Sequence, residues 1–164
     1  MLIETARMTL REIVPADLPA LVALDGDPEV MRYIGTEGTA SDTLVGSRDH
    51  WVAVRQGTDE FLGWFGLPAL PGDADVRELG YRIKREAWGQ GYATEGAIAL
   101  VRKAFEDLGA RRVVAFAMAV NAASRRVMEK AGLTYVHTFF EDWDEPLPGA
   151  DQGDVEYAIE KTQH

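Results

Sequence analysis

Residues 78–109 read ELGYRIKREAWGQGYATEGAIALVRKAFEDLG: a strand, a glycine-punctuated turn and an amphipathic helix, in that order. Leu79, Tyr81 and Ile83 share one side of an alternating run, the period of two that marks a strand. Gly89, Gln90 and Gly91 break the pattern. From Thr94 onward Ala97, Ile98, Val101, Ala104, Phe105 and Leu108 recur at helical spacing, and Gly109 supplies the stop. Two glycines ahead of a helix let the main chain approach a ligand and aim free amides at it. With the positive end of the helix dipole, those amides predict a site for an anion, above all a phosphate.

Outward from this unit, the chain reads as a single domain over residues 1–164. Residues 7–14 alternate as a first strand. Pro15, Ala16 and Asp17 open a helix through Leu24, with proline where its missing amide costs little. Asp27 and Pro28 begin a second short helix through Tyr33 or Ile34, closed by Gly35. Residues 36–49 are polar and only partly helical by pattern. Strands at 50–55 and 60–68 flank the turn Gln56-Gly57-Thr58-Asp59, and 68–75 form a breaker-rich connection. Beyond the central unit, 111–120 are a nearly continuous apolar run, as expected of a strand covered on both faces. Asn121 is the N-cap of the next helix. There Ser124, Val127, Met128 and Ala131 fall at i, i+3, i+4 and i+7, so the serine shares the inward stripe while Arg125, Arg126, Glu129 and Lys130 face elsewhere. Gly132 closes that helix, and 133–140 and 154–159 are the last strands. The order predicts a mixed α/β domain around one sheet.

Composition narrows the function. The chain has no cysteine, which excludes disulfides, thiolate metal sites and a cysteine nucleophile. His50, His137 and His164 lie far apart, so no metal is expected. A net charge of -10 argues against nucleic acid as a bulk partner. No run approaches the roughly 20 apolar residues that span a bilayer. The first residues alternate around Glu4 instead of forming an apolar signal core, so a cytoplasmic protein without membrane partners is expected. Glu141, Asp142, Asp144, Glu145, Asp151 and Asp154 make either a solvated loop or an acidic rim for a cationic, amine-bearing substrate.

Seven segments then occur in one order along nearly the whole chain: TARMTLREIVPADLPAL, DPEVMRYIG, FLGWFGL, ELGYRI, WGQGYATEG, NAASRRVMEKAGL and DVEYAI. On these the protein resembles the GNAT superfamily of acyl-CoA-dependent N-acyltransferases, and within it the RimJ/RimL type of ribosomal-protein N-terminal acetyltransferase. The resemblance implies a GNAT fold with one mixed, mostly antiparallel sheet of six to seven strands, splayed at its centre, with helices on both faces. It implies acetyl-CoA as acyl donor; no metal is expected, and the exposed final strand leaves the chain a monomer or homodimer. The acceptor would be an amine, on a small molecule (aminoglycoside, polyamine or amino acid) or at a protein N-terminus.

The family's phosphate loop carries Arg or Gln, two spacers, Gly, one spacer, then Gly or Ala. Gly91 and Ala93 fit, but Trp88 holds the first position and offers no charge. The resemblance therefore implies a loop of Trp88, Gly89, Gln90, Gly91, Tyr92, Ala93 and Thr94 that binds a diphosphate through main-chain amides, with the Thr94 hydroxyl adding a bond. Backbone groups of Tyr81, Arg82 and Ile83 would bond the pantetheine arm, and an N–H near Ile83 would polarise the thioester carbonyl. Gly80 marks a bulge or a packing concession. Asn121 caps its helix and, by resemblance, bonds the coenzyme near its thiol. Arg125 and Arg126 reach a coenzyme phosphate or form a solvated helix face.

Acyl transfer to an amine poses two proton problems: the ammonium must lose one, and the departing thiolate gains from one. Many relatives answer the second with a tyrosine at the position of Met128, which has no proton to give. Ser124 is the remaining candidate, against the alternative of a serine bonding its own helix backbone. For the base, Glu78 is the first choice, since a partly buried carboxylate has a raised pKa. Its alternative is a structural pairing with Arg77 or Arg82. His137 and Asp142 stand in reserve. Trp51, Trp64, Trp88 and Trp143 read as core or rim packing, Trp143 in the acidic loop being the best placed of the four for an acceptor contact. The competing function is a catalytically weak acyl-CoA-binding sensor or interaction module. A dinucleotide-dependent oxidoreductase is disfavoured, because the turn is not G-x-G-x-x-G.

Overall fold

The structure, a computed structural model, describes residues 2–34, 41–142 and 146–164. Its strands form two five-stranded sheets. The first holds β1 (Ile3–Glu4), β2 (Met8–Glu12), β3 (His50–Arg55), β4 (Phe61–Gly66) and, at its far edge, β7 (Gly80–Ile83), antiparallel throughout. The second runs β5 (Ala69–Leu70), β6 (Asp73–Glu78), β8 (Arg112–Met118), β10 (Asp154–Glu160) and β9 (Thr134–Phe139), with only β6 and β8 parallel.

The expected splay is wide enough to divide the sheet. Val76, Arg77 and Glu78 pair with Arg112, Val113 and Val114, and the Leu79 amide still donates to the Val114 carbonyl at 2.8 Å. The chain then leaves β8 for β4, where Gly80 opposes Gly66 and Ile83 opposes Gly63. From Ala115 onward β8 pairs only with β10. A wedge therefore opens between β7 and β8. Gly80 is not a bulge, since the β4–β7 register runs unshifted; the break is Leu79, where the strand changes sheets. A Cβ on Gly80 would meet nothing within 4 Å, which also removes the packing concession.

Alternation sends each strand's side chains to two cores. Met8, Leu10, Trp51, Ala53, Phe65, Leu79 and Ile83 pack under α2 (Tyr92–Glu106) and α3 (Ala122–Lys130). Val52, Val54 and Trp64 pack on the other face with Leu21 and Leu24 of α1 (Leu18–Asp25). Helices thus cover both faces of the first sheet. Gly96 lets α2 settle on β4: a Cβ there would stand 2.2 Å from the Phe65 ring.

Two local expectations are corrected. Residues 28–34 form hydrogen-bonded turns instead of a second helix. The Met31 amide reaches the Asp27 carbonyl at 3.1 Å and that of Ile34 reaches Met31 at 2.9 Å, a mixed pattern in a segment too short to repay helix nucleation. Its proposed stop, Gly35, and residues 36–40 lie outside the described residues. The stretch expected as a connection, 68–75, instead holds β5 and the start of β6. Only Val76 of β6 is buried, so the strand shows no apolar period. Among the described residues no helix is long and apolar enough to cross a membrane.

Candidate active site

The glycine turn joins β7 to α2 through a 3-10 turn at Arg85–Ala87. The Trp88 indole donates to the Ile83 carbonyl at 2.8 Å and ties the turn back onto β7. Gly89 (φ 74°) and Gly91 (φ 84°) take the left-handed conformation that other residues avoid. Gly91 is the N-cap of α2 and has no side-chain cap; the Glu95 amide donates to its carbonyl at 3.0 Å. Among the described residues the amides of 89–94 have no acceptor. These donors sit at the positive end of a long helix, a ready anion site that needs no charged side chain from Trp88. The Gln90 side chain turns back to the Glu86 carbonyl. The Tyr92 ring is buried beneath the Arg7 guanidinium at 4.3 Å, so its contribution is its amide. Ala93 and Thr94 line the adjoining cavity.

That cavity measures about 600 Å³ and occupies the wedge between β7 and β8. On its α3 side the Tyr81 hydroxyl stands 2.9 Å from the Ser124 hydroxyl. Asn121 fixes the start of α3, its side-chain oxygen accepting from the Ser124 amide at 3.2 Å, and it also lines the cavity. Ser124 therefore faces the wedge and meets a phenol from the opposite wall. Met128, one turn on, is buried. Burial pushes the Tyr81 phenol up, with the Ser124 bond acting weakly the other way, so the phenol stays a neutral donor.

Glu78 enters the same cavity from the other face, beside Val114. Its alternative structural partners are engaged elsewhere. Arg77 donates to the Leu67 carbonyl at 3.3 Å, and Arg82 is paired with Asp25 at 2.7 Å and lies over the Trp64 ring. Among the described residues no hydrogen bond or ion pair reaches the Glu78 carboxylate. Burial pushes its pKa up. An unpartnered carboxyl with a raised pKa is what a proton acceptor at neutral pH requires.

Other expected site residues are placed differently. The Arg82 guanidinium is only 7% exposed and committed to Asp25, which leaves main-chain groups as its means of binding a ligand. Arg125 turns from the cavity: it donates to the Ala119 carbonyl at 2.9 Å and to the Tyr157 hydroxyl at 3.1 Å. Arg126 and Lys130 line the cavity instead. His137 pairs with Glu156 at 3.1 Å outside the cavity, and Asp142 is exposed. Trp51 and Trp64 are core, whereas Trp88 is half exposed at the cavity edge; Trp143 lies outside the described residues. Three contributors escaped the sequence reading: the Tyr81 phenol, Phe116 on β8, and a wall of Val30, Tyr33 and Ile34. Only Tyr81 carried a signal, since alternation places it with Leu79 and Ile83 on the side of the inward serine.

A divided sheet, unspent amides at a helix start, and a wedge with hydroxyls on one face and a carboxylate on the other define the architecture of an acyl-group transferase. Residues 7–134 match the acetyltransferase (GNAT) domain, and the chain belongs to that family. It is 37% identical to the FsC-acetyl coenzyme A-N(2)-transacetylase of Aspergillus fumigatus over 98% of this chain and 77% of that one. The fold is shared with a GNAT-family acetyltransferase of Bacillus anthracis (TM-score 0.81, 24% identity, 99% of both chains). It is also shared with RimL, a ribosomal L7/L12 α-N-protein acetyltransferase solved with coenzyme A (TM-score 0.78, 20% identity, 98% of both chains). The family uses acetyl-CoA, and the chain is an acyltransferase.

Proposed function

We propose that this protein transfers an acetyl group from acetyl-CoA to a primary α-amine, on a small molecule or at a protein N-terminus. The observation that carries this reading is the wedge with Glu78 on one face and the Tyr81–Ser124 pair on the other. The amides of 89–94 would hold the diphosphate and Asn121 and the backbone of β7 the pantetheine arm, with Arg126 and Lys130 replacing Arg125 as the nearby cations. The donor supplies an activated thioester. Glu78, directly or through water, takes the proton that the attacking amine gives up as the new C–N bond forms. As the C–S bond breaks, Ser124 donates its hydrogen bond to the departing sulfur while Tyr81 donates to Ser124. The proton from the amine passes to Glu78, and the thiolate, steadied by the Ser124 hydrogen bond, takes its proton from water, so one is given up and one is gained.

The α-amine rests on the N(2) specificity in the name of the Aspergillus relative and on the α-N specificity in that of RimL. A binding-only module was suggested by Met128, but Tyr81 returns a phenol from the opposite wall and so favours turnover. The test is calorimetry followed by thiol release. Acetyl-CoA should bind, NAD should not, and free thiol should appear with α-amines in the panel. Binding without thiol release from any amine would overturn the transferase reading.

A further inference from the structure

We infer that the acceptor subsite is apolar: the amine enters between Phe116 and the Val30–Tyr33–Ile34 turn, and carries an apolar or aromatic group beside it. The inference rests on the acetyl-transfer reading and adds the class of acceptor.

The two faces of the wedge have different owners. Side chains of Tyr81 and Ser124 meet on the face covered by α2 and α3, where the loop amides also lie. Glu78 pairs across from Val114, so it points to the opposite face. Phe116 lies two residues beyond Val114 on that same face, about 7 Å along the strand. It stands at the point where β8 has lost its partner on the wedge side. Although it is central in its sheet, Phe116 is 37% exposed and lines the cavity. Phe139 holds it edge-on at 6.0 Å between ring centres. Across the mouth, Val30 is anchored in the α1 core, and Tyr33 and Ile34 complete the apolar wall. The Arg82–Asp25 pair, with Arg85 on Asp27 at 3.3 Å, secures this turn to β7. The mouth is therefore continuous with the Glu78 end of the cavity, and a group attached near the reacting nitrogen would lie between these walls. Among charged residues Glu29 and Arg32 also line the cavity, with Arg32 lying over the Tyr33 ring at 5.2 Å. Opposite charges at the mouth give it no strong preference for a second charged group on the acceptor.

The experiment uses the full chain, acetyl-CoA, and two α-amines of similar basicity, alaninamide and phenylalaninamide. Phenylalaninamide should be acetylated with a kcat/KM about tenfold or more above alaninamide, the scale expected of one added apolar group in a fitted pocket. In Phe116→Ala the ratio should fall towards one, and Phe116→Leu should keep part of it. Unchanged acetyl-CoA affinity shows that each variant is folded. Calorimetry of phenylalaninamide on the coenzyme A complex provides a second readout, with weaker binding expected in Phe116→Ala. Equal rates for the two amides, or a preference that survives Phe116→Ala, would overturn the subsite. Thiol release from neither amide nor any other amine of the panel, with Phe116-dependent binding intact, would overturn acetyl transfer while supporting the subsite.

Discussion

Glu95 and Glu78 are both half-hidden carboxylates near the wedge, and the molecule treats them in opposite ways. Glu95, in the first turn of α2, accepts from the Thr5 hydroxyl, from the Arg7 amide at 2.9 Å and from the Arg7 guanidinium at 2.7 Å. Burial works to raise its pKa, but the Thr5 and Arg7 bonds outweigh it and hold the carboxyl below its ordinary range. Glu78 receives none of this support, and burial alone pushes it up. The first carboxylate clasps the N-terminal strands to the helix that opens the anion site. The second is left unsatisfied where a substrate proton would arrive. A carboxylate that holds the fold is saturated with partners, and the one proposed to meet substrate is not.

The strongest test of that contrast is Glu78→Gln. Loss of a general base should lower kcat by about 10²–10⁴. In the parent, kcat/KM should rise with pH through a value above the ordinary carboxylate range, and that limb should vanish in the variant. Stability should move the other way. Because the folded-state pKa of Glu78 is raised, its favourable contribution is complete below the unfolded value and is lost as pH rises through the folded one. At neutral pH Glu78→Gln should therefore melt at or above the parent temperature. An inactive variant that is also destabilised would reassign Glu78 to a structural role.

Next in size is Gly91→Val. A side chain at φ 84° strains the turn and disturbs its amides, so acetyl-CoA affinity should fall by roughly a hundredfold or more, as several hydrogen bonds to a charged group are lost together. The same strain should lower the thermal midpoint by a few degrees without unfolding the chain. Ser124→Ala should lower kcat by about tenfold or more while sparing coenzyme affinity, since one hydrogen bond to a developing charge is removed. Tyr81→Phe should cost less, and almost nothing further in the Ser124→Ala background, because the two act as one unit. Equal losses in kcat and affinity would withdraw the catalytic role of Ser124. The smallest effect belongs to Glu95→Gln, about 1–2 kcal/mol of stability from weakened hydrogen bonds. Its lowered pKa means that the parent's advantage is present above the unfolded value and disappears as pH falls through the folded one, so the two melting curves should converge in acid.

Legibility in the sequence followed how locally each feature is determined. The glycine turn, the Asn121 cap and the inward Ser124 were readable, because each depends on neighbours within one or two turns or on side-chain parity, whereas the splay of the sheet came only from the family resemblance. The open amides of the turn could be anticipated whatever the side chain at Trp88, since main-chain amides are common to every residue but proline. Phe116 was hidden within 113–120, where every residue reads as apolar and nothing marks the one left uncovered. Arg125 was misassigned because its neighbours could not reveal that Tyr157, thirty-two residues away, would claim it. The start of β6 was missed for a related reason: a polar strand announces itself only through the strands it pairs with, here β5 at its start and β8 at its end. Residues 28–34 combined a helix-like apolar spacing with too few residues to sustain one.

Leu79 carries a last consequence. Glu78 and Tyr81 are three positions apart, an odd interval, so consecutive turns of one pleated ribbon present an acid–base group to each side of the opening. Deleting a single residue there would bring Arg82 to the place of Tyr81 opposite Ser124, a fixed cation where a neutral hydroxyl stands, and inserting one would bring Gly80. In the proposed mechanism it is the spacing across that one leucine, more than the identity of any residue in the ribbon, that would keep entry of the nucleophile and exit of the sulfur on separate sides.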